Sequence, residues 1–306
     1  MEKKAFRIGT RGSPLALAQA NMVAAAIGEP AELAIVRTAG DREQSRPLAA
    51  IGGKGVWTAE LERQLLSGEI DMAVHSMKDV ESERPGGLFI AAMLPRADVR
   101  DRLIGLPNLA ALTAGATIGT SSPRRASQLL RRVPGLNIVP FRGNVATRLQ
   151  RIADREADAT LLAAAGLARL GQDDVGTAIE TRDMLPAPGQ GAIGIEVRAD
   201  RARLRERLAQ ISHPETYDAV TAERAFARAL GGSCHSPVAA LAVIEGDRLV
   251  LRGEILSENG QIHRSGEASL SGVRSRHGVE AMGAALARDL LDGAPEALAS
   301  LFTAAG

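Results

Sequence analysis

Ile8-Gly9-Thr10-Arg11-Gly12-Ser13-Pro14 and Ile118-Gly119-Thr120-Ser121-Ser122-Pro123 are two versions of one phrase, the second a residue shorter. In each, an apolar run ends in glycine and a Ser-Pro pair opens an amphipathic stretch. Serine at an N-cap accepts a hydrogen bond from a helix N–H, and proline at the first helical position lacks only a donor that would stay unpaired. Each phrase therefore reads as the turn from a strand into a helix. Working outward from the first, Ala5–Gly9, Leu33–Thr38, Ile70–His75 and Leu88–Met93 read as strands, and Pro14–Ile27 and Thr58–Leu66 as helices. Around the second, Ala116–Gly119, Asn137–Phe141 and Ala159–Ala164 read as strands, and Arg124–Arg132 and Val145–Ala153 as helices. Short apolar runs alternating with helical patterns predict α/β architecture with parallel sheets. The repeated phrase predicts two similar lobes facing one cleft, with the polar segment Pro95–Arg102 as the crossover between them.

The style changes from His213. A helix over about Thr216–Leu230 is followed by three alternating segments (Ala239–Glu245, Arg248–Leu256, Gln261–Leu270) and a last helix over about Gly278–Leu291. That pattern predicts a small α+β module with an antiparallel sheet.

Composition excludes several classes. The chain has 306 residues, 37 basic against 36 acidic, so a general nucleic-acid binder is not expected and any positive site must be local. Four of the basic residues are lysines (Lys3, Lys4, Lys54, Lys78), leaving 33 arginines, a bias that genomic composition also produces. An aromatic content of 2% argues against a stacking platform for bases. One cysteine, Cys234, permits neither an internal disulfide nor a multi-thiolate metal site. No stretch approaches the roughly 18 apolar residues that span a bilayer, and no apolar leader precedes the first strand. A cytoplasmic protein is expected.

Two glycine motifs fail on context. Gly189-Gln190-Gly191-Ala192-Ile193-Gly194 matches a dinucleotide fingerprint, but two prolines precede it and a strand-like run follows, where the fingerprint needs a strand and then a helix. It reads as a hinge-like turn. Gly52-Gly53-Lys54-Gly55 lacks the rest of a phosphate loop. It is either a surface loop or a close approach to an anion at the following helix start.

The informative set is basic. Arg11, Lys78, Arg124, Arg125, Arg142 and Arg148 all stand at strand-to-helix turns, the carboxyl ends of strands that line ligand crevices in open α/β sheets. Cations at a helix start oppose the macrodipole, and an anionic ligand would offset that cost. Several together predict a small polyanion. Asp79, in His75-Ser76-Met77-Lys78-Asp79, is the one carboxylate among them: either a turn cap, or a group that stabilises a developing positive charge or passes a proton. Cys234 sits in a Gly-, Ser- and Pro-rich loop after a helix. It is either a small buried hydrophobe or a reactive thiol with His235 beside it. His213, His263 and His277 have no metal-ligand spacing.

With these residues the sequence resembles the porphobilinogen deaminase (hydroxymethylbilane synthase) family, nearly end to end. The likeness is carried by Thr10-Arg11-Gly12-Ser13-Pro14-Leu15-Ala16-Leu17, Gly52-Gly53-Lys54-Gly55, Val74-His75-Ser76-Met77-Lys78-Asp79-Val80 and Gly119-Thr120-Ser121-Ser122-Pro123-Arg124-Arg125. It continues through Arg142-Gly143-Asn144-Val145-Ala146-Thr147-Arg148-Leu149, Ala165-Gly166-Leu167, Gly189-Gln190-Gly191, Ala222-Glu223-Arg224 and Gly231-Gly232-Ser233-Cys234.

The resemblance implies two lobes like those of periplasmic binding proteins, over 1–95 with 192–212 and over 98–188, and a cofactor-attachment domain over 213–306. It implies a dipyrromethane cofactor held by Cys234 through a thioether. It implies a transferase that joins four porphobilinogen units head to tail, releasing ammonia, so that hydrolysis frees the linear hydroxymethylbilane. It assigns catalysis to Asp79, and cofactor and substrate carboxylates to Arg11, Ser13, Lys78, Ser122, Arg124, Arg125, Arg142, Arg148, Arg169 and the hinge-region Gln190. Lys54 and Trp57 fall in an active-site loop, Trp57 where the family has Phe, and Pro123 stands where Leu is common. A monomer with a small-molecule substrate, no nucleic acid, no metal and no membrane is expected. The rival is a non-catalytic solute-binding protein for a polycarboxylate, which leaves Cys234, Asp79 and the C-terminal module without a purpose.

Overall fold

Ser13 does what its position predicts. In the computed structural model, which describes residues 5–37, 58–231 and 236–303, its hydroxyl accepts from the Ala16 N–H at 3.3 Å and Pro14 fills the first helical turn. Strand β1 (Phe6–Arg11) is thereby turned into helix α1 (Pro14–Ile27). The chain divides into two compact units, Met1–Ala97 with Ala192–Tyr217, and Asp98–Gly191 with Asp218–Gly306.

The first unit adds β2 (Ala31–Val36), α2 (Ala59–Ser67), β3 (Met72–Ser76), β4 (Leu88–Met93), β10 (Ile193–Arg198) and α6 (Ala202–Ala209). Its sheet runs in the order β2-β1-β3-β10-β4. The first three strands are parallel, and β10 is antiparallel to both neighbours. Side chains alternate across a strand, and the core follows. Met72, Val74, Ile193, Ile195 and Val197 pack with Val23 and Ile27 of α1 and Leu208 of α6. Ala73 faces the other way, toward Leu61 and Leu65 of α2.

The second unit repeats the plan. It contains β5 (Asp101–Ile104), β6 (Thr117–Gly119), α3 (Pro123–Arg132), β7 (Asn137–Val139), α4 (Val145–Ala153), β8 (Ala159–Ala163), α5 (Ala164–Ala168) and β9 (Thr177–Ala178). The order β7-β6-β8-β5-β9 keeps three parallel strands and one antiparallel strand beside the third. Ser122 caps α3 as Ser13 caps α1. The repeated phrase is thus the visible edge of a repeated sheet. The same unit holds β11 (Val238–Glu245), β12 (Arg248–Leu256) and β13 (His263–Ser271), all antiparallel. Their core takes Phe226 from α7 (Pro214–Ala229), Leu286 from α8 (Arg276–Asp292) and Phe302 from α9 (Glu296–Thr303). A side chain at Gly253 would come within 2.6 Å of the Phe226 ring, so β12 needs glycine there.

Several boundaries differ from the expectation. Pro95–Arg102 is not all crossover, because β5 begins at Asp101 and pairs with β8. Ala159–Ala163 ends a residue early and turns directly into α5, a change that an unbroken apolar run conceals. Helices α6 and α9 and the two-residue β9 carry too little pattern to read. Among the described residues no helix is long and apolar enough to cross a membrane.

One buried charge organises the second sheet. Asp101, 1% exposed, accepts from Arg124 Nη2 at 2.8 Å and from Arg125 Nη2 at 2.6 Å. Gln190 Nε2 joins it at 3.0 Å. Burial alone would raise the Asp101 carboxyl, but the charges of Arg124 and Arg125 outweigh it and hold it well below the ordinary carboxylate range. A depressed acid stabilises the fold above its unfolded value of about 4 and loses that contribution as pH falls toward the folded value. Asp101→Asn is therefore expected to cost about 3–5 kcal/mol near neutral pH, the usual effect of removing one partner of a buried pair. The deficit should shrink below about pH 4. Chemical denaturation across pH checks this, and a deficit that stays constant down to pH 2 contradicts it.

Candidate functional site

In the first unit a buried methionine sets the chemistry. Just past β3 the chain makes one short turn, Met77–Asp79. Met77 is buried, its N–H donates to Ala192 O at 3.1 Å, and its sulfur fills the space that a side chain at Gly194 would occupy. With Met77 anchored inward, Lys78 is left half-buried and Asp79 exposed. Asp79 lines a pocket with Arg11, Ser13, Gln19, His75 and Ser76. Ser13 accepts as the N-cap of α1, which leaves its own O–H to donate. Gln19 Nε2 donates to Ser76 Oγ at 2.7 Å, tying α1 to the end of β3.

Three further pocket residues went unnoticed in the sequence. Gln19 lies on a face that reads as apolar helix. His75 ends an apolar strand, and its Nε2 lies 3.0 Å from Glu196 Oε2. Thr58 is buried at the start of α2, and its hydroxyl has no hydrogen-bond partner. Glu196 did have a signal, a lone charge inside Ile193-Gly194-Ile195-Glu196-Val197.

The second unit gathers the cations. Arg124 and Arg125 are 3% and 5% exposed and do not stand open to a ligand as the helix-start argument expects. Besides Asp101, Arg124 Nη1 donates to Gln128 Oε1 at 3.0 Å and Leu185 O at 2.8 Å, and Arg125 Nη1 donates to Leu161 O at 2.8 Å. The protein itself thus offsets much of the cost of placing them there. Burial still lowers the Arg124 guanidinium despite Asp101. The Nε atoms of both are buried without a hydrogen-bond partner. Gln190 is buried in the same cluster, with Nε2 also donating to Val99 O at 2.7 Å. The glycines flanking Gln190 have positive φ of 75° and 85°, and β10 follows, which agrees with the rejection of a dinucleotide site.

Arg142 is half-buried at the turn after β7. Gly143 beside it has φ 98°, and a side chain there would meet Thr147 at 2.7 Å, so the turn into α4 is specific to glycine. Arg148, one turn into α4, donates from Nε to Gly143 O at 3.1 Å. Arg169 follows α5, and its Nη2 donates to Gly191 O at 2.7 Å. Burial alone pushes its guanidinium down to about 10, and its Nε is buried without a partner. Of the remaining expected site residues, Lys54, Trp57 and Cys234 lie outside the described residues.

Donors outnumber acceptors in this second-unit set. Arg124 and Arg125 share Asp101, Arg169 has no carboxylate partner among the described residues, and each of the three keeps a buried Nε–H unmatched. Such a set fits a ligand that bears several carboxylates.

Comparison with known proteins gives the same direction. Residues 6–206 match the family model described as porphobilinogen deaminase, dipyromethane cofactor binding domain, and residues 217–292 match the porphobilinogen deaminase C-terminal domain. A porphobilinogen deaminase of Sphingopyxis alaskensis is 50% identical over 97% of this chain and 96% of its own length. One of Paracoccus denitrificans is 49% identical over 94% and 92%. Among solved structures, an ABC transporter periplasmic substrate-binding protein from Coxiella burnetii aligns at 15% identity with a TM-score of 0.43, over 69% of this chain and 94% of that one. Two domain models in order and half-identical relatives over nearly the whole length leave one conclusion: the chain belongs to the porphobilinogen deaminase family.

Proposed function

We propose that the family's transferase chemistry runs in this chain at Asp79 and that the arginines of the second unit hold the acidic side chains of the growing product. The reaction joins four porphobilinogen units head to tail on a dipyrromethane primer, expels ammonia at each addition, and ends in hydroxymethylbilane. The observation that carries this reading is Asp79 itself: an exposed carboxylate, presented by an anchored turn, in a pocket that also holds Arg11 and Ser13.

Each pyrrole of the substrate bears an acetate and a propionate. We assign such groups to Arg11 and Ser13, which line the pocket with Asp79, and to Lys78, its neighbour in the chain. Ser122, Arg124, Arg125, Arg142, Arg148, Arg169 and Gln190 supply donors in the second unit. Loss of the substrate's amine leaves positive charge on the pyrrole and its methylene. A fixed carboxylate stabilises that charge as it develops, and it costs little reorganisation because the turn already holds it. The primer, when bound, supplies the free pyrrole carbon to which the first unit is joined. We assign its attachment to Cys234, between α7 and β11, within an attachment domain over 213–306. Lobes over 1–95 with 192–212 and over 98–188 complete the assignment. Lys54 and Trp57 are assigned to a loop over the site. The same reading carries a cytoplasmic monomer, which cell fractionation and light scattering test. The polycarboxylate-binding rival finds no observation in its favour.

Asp79→Asn is expected to keep the fold and the covalent primer while losing nearly all turnover, read by stopped ammonia release alongside intact mass. Near-normal rates would remove Asp79 from catalysis. Cys234→Ser is expected to weigh what its sequence weighs, whereas the parent chain is heavier by two pyrrole units. Arg169→Gln removes a half-buried cation that no carboxylate among the described residues balances, so its melting temperature should hold. Its kcat/KM should fall about 10- to 150-fold, the value of one charge-assisted contact. A collapse of stability with normal activity per folded molecule would make Arg169 structural.

A further inference from the structure

Behind the Asp79 pocket lies a buried chain of charges that the proposed reaction does not yet use. Glu196, 0% exposed, points from β10 to the α2 side of the first sheet. Its Oε2 receives His75 Nε2 at 3.0 Å and Arg84 Nη2 at 3.1 Å, and its Oε1 receives Arg84 Nε at 2.7 Å. Arg84 Nη2 also reaches Glu62 Oε1 at 2.7 Å. Burial would raise the Glu196 carboxyl, yet His75 and Arg84 bring it down to about 2, so it is an anion at any working pH. A carboxylate only accepts, so Nε2 carries a proton in this contact. In the neutral ring Nδ1 is then the lone pair, and among the described residues no hydrogen bond reaches it. His75 lines the pocket together with Asp79 and Arg11.

We infer that His75 is a proton acceptor in the Asp79 pocket, with its tautomer set by Glu196 and with Glu196 held in turn by Arg84 and Glu62. The inference rests on the assignment of chemistry to that pocket. When a new methylene bond forms at a pyrrole α-carbon, that carbon must give up its hydrogen. The C–H bond breaks, its electron pair returns to the ring, and an N–H bond forms at His75 Nδ1. The imidazolium is paired with Glu196 while it exists, and its proton leaves with the released amine as ammonium. Nothing is oxidised or reduced. The division of labour is specific: Asp79 meets the positive charge, and His75 takes the proton.

The test uses the primer-loaded chain, with loading read by intact mass. His75→Gln is expected to lower kcat about 100-fold or more, within the range of general-base catalysis, with KM and loading unchanged. With porphobilinogen deuterated at its free α-carbon, the variant should show a primary isotope effect larger than the parent's, because proton loss becomes limiting. Glu196→Gln should show the same pattern more weakly. A fall in kcat with no change in isotope effect, or a normal kcat, overturns the inference. Independently of turnover, 15N NMR of histidine-labelled parent chain should show His75 protonated at Nε2 and bare at Nδ1. An Nδ1–H tautomer overturns it even if the variants do not load. Asp79→Asn run in parallel separates the two readings: if it is inactive while His75→Gln is normal, only this inference fails, and if both are normal the pocket itself is misassigned.

Discussion

A carboxylate shut off from water, Asp101, is the constraint on which the second unit depends. Two guanidiniums sit side by side in the first turn of α3, where the helix dipole already disfavours them. Their mutual repulsion adds to that cost, as the lowering of Arg124 by the charge of Arg125 shows. Asp101 converts that repulsion into a triad with both carboxylate oxygens occupied. Gln190, from the other segment that joins the units in sequence, donates into the same cluster. The triad remains one positive charge in excess, so the region stays attractive to anions and is already organised before any ligand arrives. Preorganised charge of this kind is worth more to a bound polyanion than mobile surface arginines would be.

The arginines accordingly fall into two kinds. Arg84, Arg124 and Arg125 each face a protein carboxylate. Arg169 is half-buried against a carbonyl with no carboxylate to balance it among the described residues, and its guanidinium is depressed by desolvation alone. A protein gains no stability from such a group. This contrast sets Arg169 apart from the arginines that a protein carboxylate neutralises.

Local signals were legible because their physics is local. Ser13-Pro14 and Ser122-Pro123 are helix starts within a few residues of chain, and both lie where the phrase puts them. Asp79 stood out as one acid in a basic turn. Asp101 did not, because its partners lie 23, 24 and 89 residues away, and its strand opens inside a segment whose charges read as linker. The arginine set was readable as a set, but half of the reasoning needed revision: the protein supplies a counter-ion for two of its members. Thr58, Gln19 and His75 reach the pocket only because the sheet brings β1, β3 and α2 together, and no spacing in the sequence encodes that.

The two sheets share an order of strands, so their differences are informative. In both, the antiparallel strand beside the third parallel one passes close to the carboxyl ends, where helix N-termini gather. In the second unit the residue at that level is Asp101, opposite Ala163 at the end of β8. In the first unit the corresponding level is occupied by Ile193, opposite Ser76 at the end of β3. The acid on that strand, Glu196, lies three residues deeper, opposite Ala73. A carboxylate at the strand ends is therefore missing from the first sheet itself and comes instead from the turn beyond it, as Asp79. One topology thus yields two electrostatic outcomes. In both sheets the acid within the sheet is bound by arginine, Asp101 by Arg124 and Arg125 and Glu196 by Arg84, whereas the acid on the turn, Asp79, stays exposed.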